Sequence, residues 1–356
     1  MDDSERRLGG EQSRRATPLA TRPSPVAASA ERTLVIQTAF LGDVVLTTPL
    51  LAELAARHGP VDVVTTPGAA QLLESHPAVR RVIRHDKRGS ARGPGGIRRL
   101  AAELRAAGYA RAYLAHRSWR SGLAAWLARI PERIGFADAP ARWCYTRRVA
   151  RPSEAHETAR LLGLAGVTEA RLPTIGLTAA DHAQAIAWLE AAAIPNGFVA
   201  VAPGSIWGTK RWGRFAELVA RLDRPMVVLG GPEDRELGEQ VVGEARAPAA
   251  NAAGALPIRA SAAVLARAAA LVSNDSLPLH LAQAVGTPVV AIFGPTVPAF
   301  GFGPQGTRDA IVEMDDLACR PCSLHGPERC PLGHHRCMRD LDPDRVLRTL
   351  TPILQR

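Results

Sequence analysis

Three loops in this chain combine side chains that could move a proton, neutralise a phosphate and hold a sugar. Asp43 follows Gly42 in the strand-to-helix turn after the β-rich run 33–38, just before an expected helix over 47–57. A carboxylate there either interacts with the helix dipole or faces a cleft as a general base. Between Val201 and Trp212, the turn at Pro203, Gly204 and Ser205 can bring backbone N–H groups to a phosphate, with Thr209 and Lys210 adding a hydroxyl and a point charge. Lys87 and Lys210 are the only lysines, so 42 of the 44 basic residues are arginine. An ammonium at 210 is therefore either specifically required or a surface cation.

The third loop, Val272–His280, packs a strand end, the capping side chains Ser273, Asn274, Asp275 and Ser276, and a helix start into nine residues. Leu277 to Val285 has helical apolar spacing, with Pro278 tolerated in the first turn. Its free N–H groups suit a diphosphate, unless the turn is simply a cap. Glu233 and Asp234, after the strand that ends at Gly230, either accept from ribose hydroxyls or cap the following helix.

Short β-rich runs alternating with helical ones must carry these loops. Runs 33–38, 61–65, 79–83, 112–115 and 133–136 read as strands separated by helices, and a second alternation follows from residue 179 with strands at 198–202, 226–230, 269–272 and 288–293. The expected fold is α/β, with two Rossmann-like domains over 32–175 and 176–340, and ligands in the cleft where the carboxyl ends of the two sheets face each other. Gly42 is the only glycine of the first turn, so the dinucleotide fingerprint is absent. Residues 1–31 mix Arg, Ser, Pro and acids without periodicity and read as a flexible extension. Residues 341–356 read as a C-terminal helix packing back on the first domain.

A length of 356 residues with 46% hydrophobic content fits two cores. No apolar run reaches the roughly 18 residues needed to span a bilayer, and no secretory core follows the N-terminus, so a cytoplasmic protein is expected. The net charge of +10 invites nucleic acid or an anionic membrane as partner. The densest basic stretch, 80–99, has no interleaved aromatics for base stacking, so a membrane face or a phosphorylated acceptor fits better. Cys319, Cys322, Cys330 and Cys337, with nearby histidines, form either a metal site or a metal-free thiol-lined loop, and their spacing matches no derivable zinc pattern. Cys144 reads as a core residue.

Taken together, the segment 37–50, the Gly204–Trp212 turn, Ser273–His280, Ile292–Thr296 and the C-terminal segment 330–338 resemble the bacterial heptosyltransferases of glycosyltransferase family 9, over residues 32–350. The resemblance implies a GT-B architecture and inverting transfer of L-glycero-D-manno-heptose from ADP-heptose to an inner-core heptose of a lipid A-linked oligosaccharide, in lipopolysaccharide core biosynthesis. By position it implies Asp43 as the general base and Lys210 as the cation that neutralises the leaving diphosphate, helped by Gly204 and Ser205. It places Asp275 on the donor heptose hydroxyls, Ser276, Leu277 and His280 at a phosphate-facing helix start, Glu233 or Asp234 at the ribose, and Leu256 over the adenine. No cofactor is then required. The enzyme would work in the cytoplasm, peripheral on the inner face of the inner membrane, without nucleic acid. The turn after Asp275 carries Ser276, Leu277 and Pro278 where such enzymes often have Thr-Gly, so the side chain of Leu277 is expected to alter one backbone approach to phosphate. Two alternatives are another GT-B nucleotide-sugar enzyme and a zinc-holding, Cys-rich nucleic-acid-binding protein; the latter leaves Asp43 and both α/β units unexplained.

Overall fold

Continuous apolar runs such as Leu34–Ile36 and Val199–Ala202 can be buried on both faces only inside a parallel sheet covered by helices on each side. The computed structural model, which describes residues 31–355, contains two such sheets. The first is built from β1 (Thr33–Ile36), β2 (Val61–Thr65), β3 (Val79–Arg84), β4 (Arg111–Leu114), β5 (Glu132–Phe136) and β6 (Arg147–Val149). Helices α1 (Leu41–His58), α2 (Pro67–Leu73), α3 (Gly93–Ala107), α4 (Trp119–Leu127) and α5 (Glu157–Gly163) accompany it. The second sheet comprises β7 (Val199–Ala202), β8 (Met226–Val228), β9 (Ala249–Asn251), β10 (Ala270–Asn274), β11 (Val289–Phe293) and β12 (Ala310–Glu313). With it run α6 (Ala179–Ala191), α7 (Phe215–Val219), α8 (Arg235–Gly243), α9 (Ile258–Leu265), α10 (Leu277–Ala284), α11 (Arg336–Arg339) and α12 (Pro343–Leu354).

All pairings are parallel, in the orders β3-β2-β1-β4-β5-β6 and β9-β8-β7-β10-β11-β12. Both sheets thus have the same doubly wound order, which reverses between β1 and β4 and between β7 and β10. This is the expected α/β, GT-B arrangement. The strand ends at those reversals carry the three loops rich in candidate chemistry.

Helix α1 starts six residues earlier than its sequence suggests, so Asp43 lies in its first turn. Pro49, which resembles a first-turn proline, instead sits mid-helix. It has no N–H for the carbonyl of Val45, and the Thr48 hydroxyl donates to that carbonyl instead, at 2.8 Å. One face of α1 buries Val44, Leu46, Leu50 and Leu54 in the core of the first sheet, while Val45 joins the core of the second. This shared helix fixes the turn that carries Asp43 against the second half of the molecule.

The C-terminal helix does not pack on the first sheet as expected. Val346 and Leu350, one turn apart on α12, are buried with Val272, Ile292 and Phe215 in a core of the second sheet. Strands β6, β9 and β12 also escape the sequence reading, being short edge or near-edge strands with partly exposed faces. The expected extension over 1–31 lies outside the described residues except for Glu31. Among the described residues no helix is long and apolar enough to cross a membrane.

Candidate active site between the two sheets

The loops after β1, β7 and β10 converge on a cleft of about 710 Å³. From the first sheet it receives Phe40, Gly42, Asp43, Lys87 and Arg88; from the second come Gly204, Ser205, Lys210, Glu233, Asp234, Leu256, Asp275, Ser276, Leu277 and His280. Of the residues picked out by sequence as catalytic or donor-binding, only Thr209 is missing from this lining.

The two readings of Asp43 turn out to be compatible. Its Oδ2 accepts from the backbone N–H of Phe40 at 3.0 Å, tying down the helix start, while Oδ1 has no protein partner among the described residues. Burial in the cleft, and then the negative charge of Glu157, push its pKa from 3.8 up to about 6; the Phe40 N–H and the cations Arg151 and Lys87 oppose the rise. A carboxylate with this affinity is ionised at neutral pH yet basic enough to take a proton from a hydroxyl approaching its ionisation. Glu157 is itself held by Arg151 at 2.6 Å and the buried Arg160 at 3.0 Å.

Across the cleft, Lys210 Nζ pairs with Asp275 Oδ2 at 2.6 Å, and the Thr296 hydroxyl donates to the same oxygen at 2.7 Å. Asn274 locks the two loops together: its Nδ2 donates to the carbonyl of Pro203 at 2.8 Å and its Oδ1 accepts from the Trp212 N–H at 3.1 Å. A cation, a carboxylate and the Gly204–Ser205 turn therefore share one end of the cleft. That combination suits a ligand carrying a diphosphate next to a hydroxylated group.

Two glycines are required by close approach. A Cβ on Gly42 would stand 2.9 Å from Cδ2 of His280, the α10 side chain packed against the start of α1. A Cβ on Gly204 would collide with the carboxylate of Asp234. Asp234 accepts from the Gly231 N–H at 3.0 Å and is buried, so it braces the turn, whereas Glu233 lies exposed at the cleft edge. His280 is buried with Nδ1 unpartnered, and burial depresses its pKa to about 4, so it is a neutral imidazole.

Thr209 faces away from the cleft, contrary to the sequence reading. Its side chain is buried and its hydroxyl donates to the carbonyl of Pro327, because the three-residue 3₁₀ turn 208–210 turns Lys210 inward and Thr209 outward. The structure gives the metal reading of the cysteines no support: among the described residues no group of three or more His, Cys, Asp or Glu is arranged to hold a metal. Cys337 is buried in the second core beside Met338, its thiol pushed up by burial and then by its neighbours Cys322, Cys319 and Cys330, and Cys330 Sγ accepts from the backbone N–H of His335 at 3.4 Å. Cys144 is buried in the core of the first sheet, as expected.

The cysteine-bearing loop has a different task, which the sequence did not reveal. His335 Nε2 lies 2.8 Å from the carbonyl of Thr209, and the Gly208 N–H donates to Glu328, so the loop braces the turn that carries Lys210. From the other side, Arg320 donates to the carbonyl of Thr296 at 3.1 Å and to Glu313, and the Cys322 N–H donates to the carbonyl of Pro295 at 2.8 Å. The loop thus holds both members of the Lys210–Asp275 pair. It also brings His325 into the cleft, stacked on Trp207 with centroids 6.1 Å apart and edge-on to Phe40. The contacts of His325, Glu328 and His335 span more than a hundred residues and leave no local signal. Lys87, by contrast, was open to the rarity argument used for Lys210; its ammonium donates to the carbonyl of Thr38 at the cleft wall.

Residues 97–329 match the family model described as glycosyltransferase family 9 (heptosyltransferase). Lipopolysaccharide heptosyltransferase 2 of Escherichia coli (strain K12) is 27% identical over 90% of this chain and 98% of its own length. Lipopolysaccharide heptosyltransferase 1 of Pseudomonas aeruginosa is 30% identical over 89% of this chain and 93% of its own. The solved structure of E. coli ADP-heptose lipopolysaccharide heptosyltransferase II superposes with a TM-score of 0.75 at 24% identity, covering 91% of this chain and 98% of that one.

Proposed function

Because the chain belongs to glycosyltransferase family 9, the heptosyltransferases, we propose that it transfers a heptose from ADP-heptose in lipopolysaccharide core biosynthesis, using the cleft between its two sheets. The finer assignment is L-glycero-D-manno-heptose as the sugar, an inner-core heptose of a lipid A-linked oligosaccharide as acceptor, and inversion at the anomeric carbon. Residues 32–175 then bind the acceptor and 176–340 the nucleotide sugar, at the cytoplasmic face of an anionic membrane. The observation that carries this reading is the placement of a raised-pKa carboxylate, Asp43, across one cleft from a cation–carboxylate pair, Lys210 and Asp275.

In this mechanism Asp43 takes the proton of the acceptor hydroxyl as its oxygen attacks the anomeric carbon from the face opposite the nucleotide. The bond from that carbon to the diphosphate oxygen breaks, and ADP leaves with the electron pair. Lys210 exchanges its partner: the diphosphate draws the ammonium from Asp275 and is held by it and by the N–H groups near Gly204 and Ser205, where negative charge grows. Asp275, its Oδ2 still held by the Thr296 hydroxyl, offers its other carboxylate oxygen to the hydroxyls of the donor sugar. The neutral His280 and the start of α10 at Ser276 and Leu277 flank the phosphates; Pro278 in the first turn has no N–H to offer the anion, and the side chain of Leu277 alters one backbone approach. Glu233 accepts from the ribose and Leu256 covers the adenine. Every group in these steps belongs to the chain itself.

Incubating the protein with ADP-heptose and a heptose-bearing lipid A acceptor, and following both ADP and product, tests the assignment. Acceptor-dependent ADP release with an inverted anomeric configuration in the product supports it. Failure to release ADP with any inner-core acceptor rejects the donor or the acceptor class.

A further inference from the structure

Trp119 opens α4 at the carboxyl end of β4, the sheet end that also carries the start of α1. Trp126 follows seven residues later, two helical turns on, so both rings project from one face of the helix. Trp143, in the 3₁₀ turn Arg142–Cys144, meets Trp126 edge-on with ring centroids 6.0 Å apart. These three rings are 51%, 46% and 61% exposed in a chain with only 4% aromatic residues. Three exposed indoles on one helix face and its adjoining turn are costly to leave in water.

The surrounding charge is one-sided. Arg120 lies over the Trp119 ring at 5.6 Å, Arg142 adjoins Trp143, and Arg148 Nε donates to the carbonyl of Arg142 at 2.9 Å. Between residues 117 and 148 there are seven arginines and two acids. Both acids are engaged, Asp138 with Arg117 at 2.8 Å and Glu132 with Arg111 at 3.4 Å. Indoles with an apolar body and a polar N–H settle at the headgroup level of a bilayer, and guanidinium groups pair with lipid phosphates.

We infer that Trp119, Trp126 and Trp143, rimmed by Arg120, Arg142 and Arg148, form the surface by which this enzyme seats on an anionic bilayer. The inference rests on the proposed lipid-linked acceptor, and it supplies the geometry that acceptor needs. Arg120 shares a small surface pocket with Lys87, and Lys87 lines the cleft beside Asp43. A saccharide anchored in the membrane next to α4 therefore has a short, basic path to the general base.

The test is flotation of the full chain with vesicles of phosphatidylcholine alone or mixed with phosphatidylglycerol, at low and high salt and without substrate. The expected result is binding to the mixed vesicles only, weakened by salt, with a blue shift of tryptophan emission. Trp126→Ser with Trp143→Ser should lower the partition at least about tenfold, roughly 1.4 kcal/mol. Because both rings lie outside the cleft, transfer to a delipidated acceptor oligosaccharide should be retained. Arg142→Glu with Arg148→Glu should weaken binding similarly and guards against misfolding of the tryptophan variant. Equal binding to neutral vesicles, or wild-type binding by both double variants, overturns the inference. So does a wild-type dimer that the tryptophan variant dissociates without loss of vesicle binding, which makes the patch an interface between copies. Vesicle binding is read without donor or acceptor, so a failure here is separable from a failure of the transfer assignment.

Discussion

The acid limb of the pH–rate profile should report Asp43. With its pKa near 6, about 9% of the enzyme carries the ionised base at pH 5, so kcat/KM there is about tenfold below its plateau. An ordinary carboxyl at 3.8 would be about 94% ionised at pH 5 and would show almost no loss. The buried His116, His156 and His280 do not confuse the assignment, because burial holds all three near 4. Glu157→Gln removes a negative neighbour and should move the limb to lower pH. The same shift has a cost for folding. The folded protein binds this proton more tightly than the unfolded chain, so the associated stability is complete below about pH 3.8 and is lost as pH rises through about 6. At pH 7 the ionised carboxylate therefore destabilises the fold by about 3 kcal/mol, and Asp43→Asn should melt a few degrees higher there while gaining nothing at pH 4. Initial-rate assays of ADP release from pH 5 to 8, with thermal melts at pH 7 and 4, measure both effects. A flat kcat/KM down to pH 5 would refute the reasoning, as would an Asn variant that melts lower at pH 7.

Lys210→Ala should reduce kcat about 10²- to 10³-fold by leaving the departing diphosphate uncompensated, and Lys210→Arg should restore little, because the compact ammonium fits against Asp275, itself held by Thr296; steady-state kinetics check both. Thr296→Val removes a hydrogen bond to Asp275 worth about 1 kcal/mol, so the donor KM should rise roughly fivefold while calorimetric ADP affinity stays unchanged, and Thr296→Ser should behave as wild type. Gly204→Ala should weaken ADP binding at least about tenfold in the same titration, since its methyl group displaces the Asp234 carboxylate and with it the phosphate-facing turn.

The residues of the strand-to-helix turns are legible in the sequence because the chemistry and the turn share the same few positions. Val272–His280 folds much as it reads, with β10 ending at Asn274 and α10 starting at Leu277. The start of α1 is misread because Pro49 is a strong local signal whose missing hydrogen bond is compensated by the side chain of Thr48, a detail no helical periodicity contains. The outward turn of Thr209 and the bracing role of the cysteine loop depend on Pro327, Glu328 and His335, all more than a hundred residues away in the chain. The packing of α12 on the second sheet follows from where Val346 and Leu350 find a core, which the amphipathic pattern leaves open. Spacing made the cysteines conspicuous, and the fold brings them near one another in a loop whose bracing contacts the spacing does not contain.

The most direct test of the account compares wild type with Asp43→Asn at equal concentrations of folded protein, measuring ADP release from ADP-heptose with and without a heptose-bearing lipid A acceptor, together with ADP affinity. The account predicts that acceptor-dependent release falls by about 10² to 10⁴ while ADP affinity is unchanged, because Asp43 enters the cleft from the first sheet and touches the start of α1 rather than the Gly204–Ser205 turn. An Asn variant that keeps its acceptor-dependent release would contradict it, and would leave Asp43 as the carboxylate that ties down the start of α1.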